Sequence, residues 1–156
     1  MAHTFKILTA VDLSDYSDTT IRYSLAIAKK MSAELVLVNV INQRDLDMVR
    51  RAMVGYDSFS FADYLEEQIR DRRTRMNDIL ESAGISDVNY RCIVKEGIPY
   101  QQILETIILE NADLLVVSTK GRSNLADVMV GSTASKLFRQ STIPMVSIPA
   151  SYVFAS

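Results

Sequence analysis

One cysteine and one histidine are all the chain offers to thiolate or imidazole chemistry. Cys92 has no partner for an internal disulfide, and His3 stands in an N-terminal segment expected to be loose. A thiolate–imidazole zinc cluster, a Cys–His pair in the core and a Ser–His–Asp relay are therefore excluded. Long apolar runs are missing too, since none approaches the roughly eighteen residues that suggest a membrane span. The opening Met1-Ala2-His3-Thr4-Phe5-Lys6 lacks the apolar stretch of a secretory signal, so a cytoplasmic location is expected. Neither charge sign is in excess. Seventeen basic and nineteen acidic side chains leave a net charge of −2, which implies no strong pull on nucleic acid or an anionic membrane.

What remains is the composition of an ordinary globular chain: 156 residues, 48% hydrophobic and 23% charged. That length suits one domain spanning residues 1–156, able to hide roughly 70% of its unfolded surface. Strand-like and helix-like segments alternate from end to end. Strands are expected at Phe5–Val11, Glu34–Ile41, Val88–Val94, Leu114–Ser118 and Met145–Ile148. The unbroken apolar stretch Leu35-Val36-Leu37-Val38 indicates a strand covered on both faces. Pro144 and Pro149 bracket the last strand and favour a sheet edge.

Between them, Ile21, Leu25 and Ala28 share a face of a helix over Ser17–Met31. Leu65, Ile69, Met76 and Leu80 mark a longer helix ending near Gly84. Pro99 opens a third, with Ile103, Leu104, Ile107 and Ile108 as its buried stripe. Val130, Ala134, Leu137 and Phe138 suggest a last helix beginning close to Gly131. The βαβαβαβαβ order predicts an α/β fold with a parallel sheet and helices on both faces. Only Asn42–Phe61 lacks a clear period. Its apolar Met48, Val49, Met53, Val54, Phe59 and Phe61 argue for an excursion packed over the sheet with a helical turn, serving as a lid or partner surface.

Ligands of open α/β sheets bind beyond the carboxyl ends of the strands. That directs attention to Val11–Asp15, to Asn39-Val40-Ile41, and to Ser118–Asn124 with Gly131-Ser132-Thr133. Gly121 and Gly131 are two of only five glycines and bracket a polar loop. Small residues admit close backbone approach to a phosphate, and N–H groups opening a helix donate to its oxygens. Lys120 and Arg122 add positive charge, and Ser132 and Thr133 add hydroxyls. Glycine, serine and asparagine also serve ordinary turns, so residue types alone leave anion binding and a plain loop both open.

Ser118-x-x-Gly121, nine residues and then Gly131-Ser132 resembles the G-x-x-G-x9-G-[S/T] signature of the universal stress protein family. The opening Ile7–Ser14, the second strand Glu34–Ile41 and the ending Ser141–Ile148 resemble that family in order, over nearly the whole chain. The first signature position is serine here, and a position often occupied by histidine is Lys120. The resemblance implies a three-layer Rossmann-like, adenine-nucleotide alpha hydrolase-like fold with strand order 3-2-1-4-5. It implies an ATP site, with Mg²⁺ or Mn²⁺ as possible companions. Asp12 would hold the ribose, flanked by Ala10 and Ser14, and Val40 would meet adenine through its backbone. Ser118, Lys120, Gly121, Arg122, Ser123 and Asn124, with Gly131, Ser132 and Thr133, would grip ribose and phosphates. A homodimer through Met145–Ile148 is also implied.

Plainer roles compete. Asp12 suits a turn or helix cap, Cys92 a small core residue, and Arg70–Arg75 the solvated side of a helix with Asp71 and Arg75 as an i,i+4 pair. Met48 and Met53 are the methionines suited to a partner surface. Asp12, Asp15 and Asp127 could meet a metal, but no strong base is placed for phosphoryl transfer. The functional expectation is an ATP-binding homodimeric sensor or regulator of the stress response, with at most slow ATP hydrolysis. Two other readings are a dimeric stress-response interaction module without nucleotide and a small nucleotide hydrolase.

Overall fold

The computed structural model describes residues 2–121 and 130–155. Five parallel strands form one sheet: β1 (Lys6–Ala10), β2 (Glu34–Asn42), β3 (Tyr90–Gly97), β4 (Leu114–Ser118) and β5 (Met145–Ile148). Their order is β3-β2-β1-β4-β5, as the resemblance implied, with β5 at an edge. The helices are α1 (Ser17–Met31), α2 (Gln43–Ala52), α3 (Phe61–Ser82), α4 (Pro99–Glu110) and α5 (Ser132–Gln140).

Strand periodicity divides the core in two. Ile7, Leu35 and Leu37 point to one face, against Ile21, Leu25 and Ala28 of α1 and Met76 and Leu80 of α3. Leu8, Val36, Val38, Leu115 and Val117 point to the other, against Ile103 and Ile107 of α4 and Ala134 and Leu137 of α5. Helices therefore cover both faces. A buried polar contact crosses the first layer: Thr9 Oγ1 donates to Ser24 Oγ at 2.7 Å, and Ser24 Oγ donates to Thr20 O at 2.9 Å.

Some expectations need correction. Residues 43–52 form a full helix rather than a single turn, capped by the Asn42 side chain, which accepts from the Arg44 amide at 3.0 Å. Its apolar spacing, Leu46, Val49, Met53, is helical but diluted by charge. Of this region's apolar residues only Leu46 is buried; Met48, Val54 and Tyr56 are exposed, so most of the excursion does not pack on the sheet. Ile108 and Phe138 are exposed as well, at 73% and 74%. Each lies one step beyond the buried pair of its helix, Ile107 or Leu137, and so turns to the outer edge. Val130 precedes α5 and is also exposed. Arg72 leaves the otherwise solvated Arg70–Arg75 run and turns inward, while Arg75 donates to Leu13 O at 3.3 Å. Cys92 packs half-buried against the first core layer, and burial raises its thiol pKa to about 11.

Charges gather where the strands begin. Arg91 bonds Glu110 and reaches Glu34 at 3.4 Å, while Lys6 Nζ donates to Glu110 O at 2.8 Å and lies 3.7 Å from its carboxylate. His3 is not loose: its ring lies 2.7 Å from Asp113, which also accepts from the Lys6 amide at 2.8 Å. The bond from Arg91 holds the Glu110 carboxyl below its ordinary pKa, with Lys6 adding to it against the effect of burial. For Asp113 burial acts in the opposite sense and is outweighed by the Lys6 amide and His3.

A carboxylate with a lowered folded-state pKa contributes stability above its unfolded pKa and gives it up as pH falls through the folded value. Denaturant midpoints should therefore fall as pH drops below Glu110's ordinary value of 4.5. Glu110→Gln should lower the midpoint at pH 7 and make that acid limb shallower. Parallel pH curves for the two proteins would remove Glu110 from the effect.

Candidate functional site

A cleft of about 440 Å³ opens at the carboxyl ends of β1, β2 and β4, roofed by the starts of α4 and α5. This is the position that neighbours leaving a parallel sheet in opposite directions create. Its volume is within the roughly 300–1,000 Å³ usual for small-molecule sites. Val38, Val117, Ile103, Ala134 and Leu137 supply an apolar floor continuous with the second core layer.

The first wall follows β1. Val11 N donates to Val38 O at 2.8 Å and closes the strand. Asp12 Oδ1 accepts from Ser14 N at 3.0 Å and Ser17 Oγ at 3.2 Å, a side-chain turn that starts α1. Between them Leu13 adopts φ +61°, a conformation costing a non-glycine residue roughly 1 kcal/mol. The expected turn-forming role of Asp12 is thus real, and its other oxygen faces the β4 loop. Ser14 does not line the cleft: its hydroxyl accepts from Tyr16 N at 3.3 Å.

The second wall is the end of β2. In a parallel ladder, alternate residues turn their main-chain groups to the same neighbour. Val38 O is used by β1, so Val40 turns its N–H and C=O to that same side, past the point where β1 has ended. Val40 lines the cleft there, together with Asn42, Arg44 and Asp45.

The third wall is the β4 loop and the start of α5. A Cβ on Gly121 would overlap Asp12 Oδ2, so glycine here permits contact between two loops. Gly131 has no such constraint; its φ is −63°, and a Cβ would meet Thr119 O at 3.4 Å, an ordinary contact. Its amide donates to Thr119 O at 2.5 Å, which brings the start of α5 back to the loop. No side chain caps α5 at Gly131, and Gly131, Ser132 and Thr133 line the cleft, so the helix presents its N-terminus to it. Ser118 has no positive φ, and its hydroxyl donates to Lys120 O at 2.6 Å, a bond glycine could not make.

Of the residues expected from the sequence, the structure brings Ala10, Asp12, Val40, Ser118, Lys120, Gly121, Gly131, Ser132 and Thr133 to this one cleft. Arg122, Ser123, Asn124 and Asp127 lie outside the described residues. Sequence reasoning missed Asn42, Arg44 and Asp45 from the junction of β2 and α2, and Pro99 and Ile103 from α4. The signal for the first group was the Asn42 cap ahead of a charged helix, hidden in a stretch without obvious period. Among the described residues, no group of three or more His, Cys, Asp or Glu side chains is placed to hold a metal ion, and no helix is long and apolar enough to cross a membrane.

The universal stress protein family model matches residues 4–149. Universal stress protein YxiE of Bacillus subtilis is 26% identical over 144 residues, 92% of this chain and 97% of its own. Among solved structures, protein MJ0577 of Methanocaldococcus jannaschii superposes with a TM-score of 0.77 at 19% identity, covering 97% of this chain and 100% of that one. A universal stress protein in complex with cAMP gives 0.67 at 20% identity, covering 96% and 100%. One from Archaeoglobus fulgidus in complex with dAMP gives 0.61 at 13% identity, covering 95% and 99%. The sheet order and these superpositions are those of the adenine-nucleotide alpha hydrolase-like fold. With a match over most of its length, the chain belongs to the universal stress protein family.

Proposed function

We propose that the cleft binds ATP and that the protein is a homodimeric nucleotide sensor or regulator in the stress response. The observation that carries this reading is the convergence, in one cleft, of the α5 N-terminus, the Gly121 loop, Asp12 and the outward-turned main chain of Val40. Helix N-terminal N–H groups suit phosphate oxygens, and Lys120 adds a cation beside them. Asp12 suits a ribose hydroxyl. Val40 offers a main-chain donor and acceptor side by side, which suits the 6-amino donor and neighbouring ring-nitrogen acceptor of adenine; guanine carries an acceptor, O6, in place of that amine. Two relatives of the same fold are complexed with cAMP and dAMP, both adenine nucleotides.

A metal ion with ATP would be held mainly through phosphate oxygens, as Mg²⁺ commonly is in phosphate sites. Asp12 is a cleft carboxylate that stands against the Gly121 loop, which would take those phosphates. Dimerisation through Met145–Ile148 is supported by the place of β5 at the sheet edge, where main-chain groups can extend the ladder.

Titration calorimetry of nucleotide-free protein with ATP and Mg²⁺ should give saturable binding at least about tenfold tighter than GTP, a difference of one hydrogen-bond mismatch. Parallel titrations with AMP and cAMP report how much the outer phosphates contribute. Absence of ATP binding by folded protein would overturn the proposal and leave the β5 edge and α2 surface as the functional faces.

Two glycine variants test the site itself. Gly121→Ala should displace the Asp12 carboxylate and weaken ATP binding by about tenfold or more. Gly131→Trp fits a φ of −63° without backbone strain but fills the cleft, so binding should be lost with folding retained. Unchanged ATP affinity in Gly131→Trp would show that the nucleotide binds elsewhere.

A further inference from the structure

Asn39 is a polar residue inside the apolar run of β2 and is only 1% exposed. A buried amide must be satisfied on both its oxygen and its nitrogen. Here Nδ2 donates to Val11 O at 2.7 Å, and Oδ1 accepts from Arg72 Nη1 of α3 at 3.0 Å. The orientation is fixed by chemistry, since a guanidinium only donates and a carbonyl only accepts. The carbonyl that Asn39 holds belongs to the peptide bond leading into Asp12. Three residues further along α3, Arg75 Nη2 donates to Leu13 O at 3.3 Å, so the same helix reaches the positive-φ residue on the other side of Asp12.

We infer that Asn39 and Arg72 are positioning residues for the nucleotide site: they link α3 to the Val11–Leu13 turn and fix where the Asp12 carboxylate stands. This inference rests on the proposed nucleotide reading for its effect on affinity, but not for the link itself. Neither residue lines the cleft. Their action passes through the orientation of one peptide bond. A partner or modification that displaces α3 would alter ATP affinity through the same contacts, and nucleotide held by Asp12 would in turn resist that displacement.

The test uses the full-length chain and has two arms. In nucleotide-free protein, Arg72→Met should speed hydrogen exchange at the Ser14 amide, which bonds Asp12 Oδ1, and Arg72→Lys should restore most of the protection. In ATP titrations, Arg72→Met should cost about tenfold in the native background but less than about twofold in Asp12→Ala, because coupled residues are not additive. Asn39→Asp keeps an acceptor for Arg72 but loses the donor to Val11 O, and should match Arg72→Met; it serves should Arg72→Met fail to fold. Unchanged Ser14 exchange overturns the link whatever the nucleotide does. An equal loss of ATP affinity in both backgrounds overturns the route through Asp12. Faster Ser14 exchange in a protein that binds no ATP supports the link and overturns the nucleotide reading instead.

Discussion

The site depends on the confinement of β1. Ile7, Leu8 and Thr9 are wholly inaccessible, covered by helices on both faces and paired to β2 and β4 on both edges. A strand held in this way can present polar groups only at its ends. At the carboxyl end the chain turns at once into Asp12, and past the Val11 N–H, which bonds Val38 O of β2, the turn finds its partners among side chains. Asn39, Asp12 and Arg75 supply those partners. The price is one leucine in a left-handed conformation, tolerated because contacts on either side determine it.

From that turn the rest of the cleft follows. Asp12 stands so close to Gly121 that no side chain fits there, which ties the β1 turn to the β4 loop. The reason for glycine is therefore distance rather than φ. The same criterion explains why serine is accommodated at position 118: its backbone needs no positive φ, and its hydroxyl secures the loop through the Lys120 carbonyl. A substitution at a motif glycine matters only where the missing Cβ is what the geometry uses.

Much of this was legible in the sequence, and the exceptions have physical causes. The strands β4 and β5 and helix α1 coincide with expectation, because the apolar run Leu114–Val117, the prolines on either side of Met145–Ile148 and the Ile21, Leu25, Ala28 spacing each mark their element. The α2 helix was hidden because one buried residue, Leu46, is enough to seat a short helix in which five of the other nine positions are charged. The stripes of α4 and α5 were read one residue too wide at Ile108 and Phe138, since hydrophobicity does not distinguish a core position from the next position around the helix. The glycines and Asp12 could be picked out from a motif. The link through Asn39 could not, because it joins residues 28 and 33 apart in sequence, brought together by the pairing of β1 with β2 and by the packing of α3 on the sheet.

The two ends of the sheet divide the remaining work. Where the strands begin, Lys6, Glu34 and Glu110 are mostly covered and form a connected set with Arg91, a setting in which ion pairs contribute more than isolated surface pairs do. Where the strands end, Asp12, Arg44, Asp45 and Lys120 line a cleft, and α5 begins without a side-chain cap. Parallel strands make this separation possible, since all five start at one end and finish at the other. Stability anchored at the starts leaves the finishing turns to be shaped by what they hold, and the strain at Leu13 falls at that end of the molecule.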